Sequence, residues 1–156
     1  MILLQNIKRN ILKRRLSKKF GKCGSNLDVF GKPTLISPEN IEVGDGLKIN
    51  EGVYISASRS KVIIGNDVTL SPFSKIIGGG YELERFFNSG ERVHHHDACI
   101  KIGNHVWVCA GAMILANVEI SGEYVIIGAG AVVTHDIKES NVIVAGVPAK
   151  VVRRWK

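Results

Sequence analysis

Aliphatic residues recur along this chain at every sixth position. They stand at Val43, Ile49 and Ile55, at Ile64, Leu70 and Ile76, at Ile102, Val108, Ile114 and Ile120, and at Ile127 and Val133, in a frame that survives three interruptions. Within each hexad the second position is often glycine (Gly44, Gly65, Gly103, Gly128), and the fifth is small or β-branched (Val53, Val68, Val106, Ala112, Val118, Ala131). A helix would return apolar residues at a spacing of about 3.6, and a simple strand at every second position. A six-residue period fits neither; it predicts a short strand and a tight turn, repeated as one side of a coil. The expected fold is all-β, a parallel β-helix over residues 23–147 whose aliphatic residues stack inside a prism. Glycine and Asn-Asp pairs, such as Gly65-Asn66-Asp67 and Gly103-Asn104, are expected at the corners, where backbone strain costs them least.

Three segments leave the frame. The stretch 77–97 contains Gly78-Gly79-Gly80, Phe86-Phe87 and the run His94-His95-His96-Asp97, and reads as a loop protruding from the prism. Residues 1–22 read as a basic helix, with Leu4, Ile7 and Ile11 on one face and Leu12, Leu16 and Phe20 on a drifting one. Two readings of it stand: a cap on the open end of the core, which solenoids need, and an amphipathic helix lying on an anionic membrane. Residues 148–156 form a C-terminal tail.

A chain of 156 residues suits one domain. Little aromatic content with much Gly, Val and Ile favours strands and turns over a helical bundle. No stretch approaches the roughly 20 apolar residues of a membrane span, and Lys and Arg interrupt the apolar residues at the start, so a cytoplasmic protein, conceivably close to a membrane, is expected. Cys23, Cys99 and Cys109 have neither CxxC nor zinc-finger spacing and are expected to be reduced and structural. The net charge of +7 owes much to the first 22 residues, with Lys8, Arg9, Lys13, Arg14, Arg15, Lys18, Lys19 and Lys22 and no acidic residue among them. Such local basicity gives no reason to expect a nucleic-acid partner.

The segment Ile102–Arg153 reads IGNHVWVCAGAMILANVEISGEYVIIGAGAVVTHDIKESNVIVAGVPAKVVR. It resembles the C-terminal signature of sugar O-acetyltransferases of the bacterial hexapeptide-repeat acyltransferase family: IGxxVWIG, then IGAGSVVTKDI, then AGVPAKVIK. The resemblance implies a left-handed β-helix, a homotrimer, and acetyl-CoA as co-substrate in a groove between neighbouring coils of adjacent subunits, with no metal. Trp107 matches the tryptophan that lines the cofactor cleft, and Ala110 the small residue whose backbone faces the thioester. Ala129 matches the position that hydrogen-bonds the pantetheine arm. Thr134 and His135 stand where the family has Thr-Lys, a loss of one fixed positive charge. Lys150 and Arg153 match the basic residues that meet the cofactor's phosphates, a suitable pairing for a polyanion. Alternation within the strand independently puts Trp107 outside if Val106 and Val108 point in.

Acetyl transfer to a hydroxyl needs a base, and histidine suits neutral pH. In the family that histidine lies roughly two dozen residues before the tryptophan; counting back from Trp107 reaches Tyr81, Glu82 and Leu83, with no histidine. The candidates are therefore His94, His95 and His96, with Asp97 available to orient an imidazole. Extending the alternation back from Ile102 and Ile100 puts His95 and Asp97 on the outward face with Trp107, and His94 and His96 on the other. His105, at a hexad corner, reads as mere surface. Tyr81, Glu84, Arg85 and Arg92 are available for polar contacts to the acceptor, expected to be a saccharide of a surface-polysaccharide pathway. Three other readings stay open: an N-acetyltransferase acting on a nucleotide-linked amino sugar, a zinc protein of the γ-carbonic-anhydrase type, and an inactive scaffold. Consecutive histidines converge poorly on one zinc ion, which disfavours the second.

Overall fold

The structure, a computed structural model, describes residues 2–81, 87, 88 and 95–155, of which residues 2–5, Tyr81, His95 and His96 are described by their backbone alone. Every one of the aliphatic residues in the six-residue frame is at most 2% exposed, and so is every fifth-position residue named above. The period follows from this. Positions five, six and one of successive hexads form a strand that points in, out and in, and the next three residues turn the corner of a triangular prism.

Three sheets form the faces. The first is built from Lys22–Cys23, Ile41–Val43, Ser60–Ile64, Ala98–Ile102 and Glu119–Ile120. The second contains Asp28–Val29, Lys48–Ile49, Thr69–Leu70, Trp107–Val108, Val125–Ile127 and Val142–Ala145. The third contains Thr34–Ile36, Tyr54–Ser56, Lys75–Ile77, Met113–Ile114 and Val132–Val133. Pairing within each face is parallel, and like positions stack: Ile102 pairs with Ile120, Val108 with Ile127, Ile114 with Val133. The result is a left-handed β-solenoid of about five turns. The tail is part of it, since Lys150–Arg154 runs antiparallel along Val142–Ala145 at the edge of the second face.

The corners differ from expectation in one respect. Left-handed backbone falls at the fourth hexad position, as at Asp67, Phe73, His105, Gly111 and Gly130, and not at the second-position glycines. Those glycines are required by close approach between coils: a Cβ at Gly65 would lie 2.7 Å from the Gly103 carbonyl oxygen, and one at Gly103 2.8 Å from that of Ile120.

The corner between the first and second faces is tied by side chains. Ser25 donates from both its backbone N–H and its hydroxyl to Asp45 Oδ1, at 2.7 and 2.9 Å. The Asp45 N–H donates to Asn66 Oδ1 at 2.8 Å, and the Asn66 N–H to Asn104 Oδ1 at 2.9 Å. The two bonds from Ser25 hold the Asp45 carboxyl below its usual range, the backbone donor contributing most.

The helix Ile2–Ser17 lies across the N-terminal end of the prism. Leu16 and the following Phe20 are buried in the core, with Leu12 packed beside them. Arg9 bonds Asp28 at 3.0 Å and lies 4.1 Å over the Phe30 ring. Ile7 and Ile11 face away from the core and are exposed. Among the described residues no helix is long and apolar enough to cross a membrane.

The protruding segment leaves the corner between the third and first faces. Its described ends pair as an antiparallel ribbon, Gly80 with His96 and Tyr81 with His95. Ala98, Ile100 and Ile102 point inward, and their ladder with Ser60–Ile64 ends at Ala98. His95 and His96 belong to the ribbon, so the alternation of Ala98–Ile102 does not carry into them. The expectation that His95 shares an outward face with Trp107 is corrected accordingly; Trp107 stands on the second face, one corner further on.

Candidate functional site

At the corner between the second and third faces, three residue pairs stack coil upon coil: Pro72-Phe73, Ala110-Gly111 and Ala129-Gly130. The Gly111 N–H donates to the Pro72 carbonyl and the Gly130 N–H to that of Ala110, both at 3.0 Å. Gly111 and Gly130 adopt φ of 66° and 67°, and a Cβ on either would meet nothing within 4 Å. Small residues in a left-handed backbone therefore leave an open track two coils high, lined by Ala110 and Ala129, both exposed.

Trp107 occupies the outward strand position beside this corner, 49% exposed, between Thr69 and Ile126 in register. Its indole Nε1 donates to Ser71 Oγ at 2.8 Å, which ties the ring to the coil below. Next to it lies an aromatic groove of about 450 Å³, lined among others by His105, Trp107, Tyr124, Ile126, Ile143 and Trp155. The His105 ring stacks on Tyr124 at 4.6 Å, and its Nδ1 lies 3.8 Å from Asp67 Oδ2.

Beyond the upper end of the track is a recess of about 250 Å³ whose lining includes His135, Lys138, Ala149 and Lys150. Thr134 Oγ1 is 2.7 Å from His135 Nδ1. The recess thus joins Lys150, expected at the cofactor's phosphates, to His135, and adds a cation, Lys138, with Asp136 and Glu139 in the same lining. Arg153 is held apart from them, opposite Ile143 and 4.3 Å over the Trp155 ring.

Cys109 sits in the same turn as Ala110. Burial pushes its thiol pKa up, so it is protonated at neutral pH and a poor nucleophile.

The expected catalytic group lies on a different edge. The strand His95–His96 belongs to the ribbon at the third corner, and Asp97 beside it is exposed. Tyr81 is paired with His95 by backbone. His94, Glu84, Arg85 and Arg92 lie outside the described residues. Among the described residues no group of three His, Cys, Asp or Glu could hold a metal ion.

Sequence reasoning missed Ser71, Phe73 and Lys138. Ser71-Pro72-Phe73 sits one coil below Cys109-Ala110-Gly111, but the protruding segment stands between them in the chain, so no constant spacing links the two turns. Lys138 follows His135-Asp136 after one residue, Ile137, and carries a signal in charge alone.

No protein-family model matches the chain. It is 30% identical over 138 residues to the galactoside O-acetyltransferase of Escherichia coli (strain K12), across 88% of this chain and 66% of that enzyme, so it spans just under two thirds of that relative's length. It superposes on a maltose O-acetyltransferase from Clostridium difficile 630 with a TM-score of 0.79 at 26% identity, covering 98% of this chain and 83% of that one. A galactoside acetyltransferase in complex with coenzyme A gives a TM-score of 0.79 at 25% identity, covering 96% and 80%.

Proposed function

We propose, for a chain that belongs to the left-handed β-helix, hexapeptide-repeat acyltransferases, that it transfers acetyl from acetyl-CoA to a hydroxyl of a saccharide. The open track over Gly111 and Gly130 carries this reading, because it suits a narrow, flexible pantetheine arm and has nothing to offer a bulky ligand. Trp107 flanks the arm; Ala110 and Ala129 line it; Thr134, His135, Lys138 and Lys150 meet the nucleotide end. Arg153, on Trp155, belongs to the rim of the aromatic groove.

The reaction is direct. A histidine of the His94-His95-His96 run, oriented by Asp97, takes the acceptor's hydroxyl proton as the oxygen attacks the acetyl carbonyl. The C–S bond breaks, and the proton passes to the leaving thiolate to give free CoA. The raised pKa of Cys109 argues against a covalent acyl-enzyme in this turn. Tyr81, Arg85 and Arg92 are assigned to the acceptor. Thiol release from acetyl-CoA with a panel of sugars tests the reading: His95→Ala or His96→Ala should slow it by about 10²–10⁴-fold. If neither does, the base lies elsewhere.

The active form in this reading is a homotrimer. The track and the histidine ribbon stand on different edges of one prism, and a neighbouring copy would set one beside the other. Mixing inactive His95→Ala and Gly130→Val chains should then restore activity in shared sites, whereas no recovery would place the whole site in one chain.

Residues 1–22 act as cap, 23–147 as the coil body and 148–156 as its edge. The cap's outward face carries Ile7, Ile11, Arg14, Arg15 and Lys18, all exposed, and suits peripheral contact with an anionic membrane from the cytoplasmic side. Co-sedimentation with phosphatidylglycerol vesicles, lost in Ile7→Ser/Ile11→Ser, checks that contact.

A further inference from the structure

At the second corner one residue breaks the run of glycines. Gly52, Phe73, Gly111 and Gly130 all occupy the left-handed position of successive coils, with φ of 67°, 60°, 66° and 67°. A phenylalanine meets a steric penalty there that glycine avoids. Packing does not account for it, because Phe73 is 62% exposed and outside the core. Its ring instead lies over Gly52, directly against the place where a Cβ of Gly52 would stand. The space that stays open above Gly111 and Gly130 is thus closed below them: Phe73 stands in the next coil and its ring covers Gly52 in the one after.

We infer that Phe73 is the end-stop of the acyl end of the track and sets the length of acyl chain the enzyme accepts. The inference rests on the acyl-CoA reading above and extends it along one axis. The recess of His135 and Lys150 lies at the upper end, Ala129 follows, then Ala110 beside the thioester. The acyl group continues in the same direction, toward Pro72 and Phe73. Two contacts fix this floor: the Gly111 N–H bond to the Pro72 carbonyl at 3.0 Å, and the Trp107 indole bond to the adjacent Ser71 at 2.8 Å. Coils in such a sheet are spaced by ~4.8 Å, the length of about four carbon atoms of an extended chain. A short acyl group ends before the ring, and a longer one meets it.

Phe73→Gly removes the stop and gives the backbone the residue its φ prefers, so the variant should fold at least as well as the parent. The measurement is competitive binding of CoA and its acetyl, butyryl, hexanoyl and octanoyl thioesters to the full chain, with thiol release alongside. The parent should bind acetyl- and octanoyl-CoA with a marked preference for the former. In Phe73→Gly the longer thioesters should gain about fourfold for each methylene newly admitted, with free CoA unchanged. A chain-length profile identical in both proteins overturns the inference. So does a variant that changes only the KM for the sugar, since Phe73 would then be a platform for the acceptor. A parent that binds neither CoA nor acetyl-CoA sinks the acyl-CoA reading itself, a different failure from an unmoved profile.

Discussion

Two corners of the same prism are built on opposite plans. Where the first face turns into the second, each coil is tied to the next by Asp45, Asn66 and Asn104, whose side chains take the backbone N–H groups that the turn leaves unpaired. Above them His105 stacks on Tyr124. Where the second face turns into the third, the upper coils have alanine and glycine with empty space over them. The backbone is left-handed at the fourth position in both, so the turn itself demands neither plan. The tied corner spends its side chains on stability; the bare corner keeps its surface free for a ligand, up to the point where Phe73 closes it.

The sharpest way to break this contrast is to fill the bare corner. Gly130→Val should lower acyl-CoA affinity by about 100-fold, equivalent to roughly 2.7 kcal/mol, as measured by calorimetry. The same change costs stability on the order of 1–2 kcal/mol, because a β-branched residue is strained at positive φ. Unaltered affinity would show that nothing runs over Gly130.

At the tied corner the signs should reverse. Asn66→Ala deletes the acceptor of the Asp45 N–H and should cost about 1 kcal/mol in urea unfolding, while acyl-CoA affinity stays within twofold error of the parent. A binding defect would mean that the two corners are not independent.

Ser71→Ala probes the join between them. It frees the Trp107 indole and should raise the KM for acetyl-CoA by about three- to tenfold with kcat held, consistent with the loss of one hydrogen bond.

The smallest effect is a pH dependence. The folded pKa of Asp45 is depressed, so its contribution is present above the unfolded carboxylate value near 3.9 and is lost as pH falls through the folded value. Asp45→Asn should flatten the acid limb of the stability profile below about pH 4 and leave neutral pH little changed. An acid limb as steep as the parent's would remove Asp45 from the account.

The candidate site was only partly legible beforehand. Trp107, Ala110 and Ala129 were read at their hexad positions, and the structure places them outside, around one corner. The histidine run stands out in the sequence, but the strand it pairs with does not. His95–His96 pairs with Gly80–Tyr81 and not with the first face, and a switch of partner cannot be seen in a period of two. The stack of His105 on Tyr124 has no signature in the sequence, because coil stacking alone brings the two rings together.

The repeat by itself determined the solenoid, its buried residues and the in-or-out sense of each strand position, because these depend on spacing within one hexad and on alternation along the backbone. Tertiary structure decided everything that passes between coils. The segments inserted between hexads vary in length, so which turn lies above which is set by stacking in the folded prism. That stacking put Phe73 over Gly52 and below Ala110, Ser71 under Trp107, and the glycine track on a different edge from the histidines.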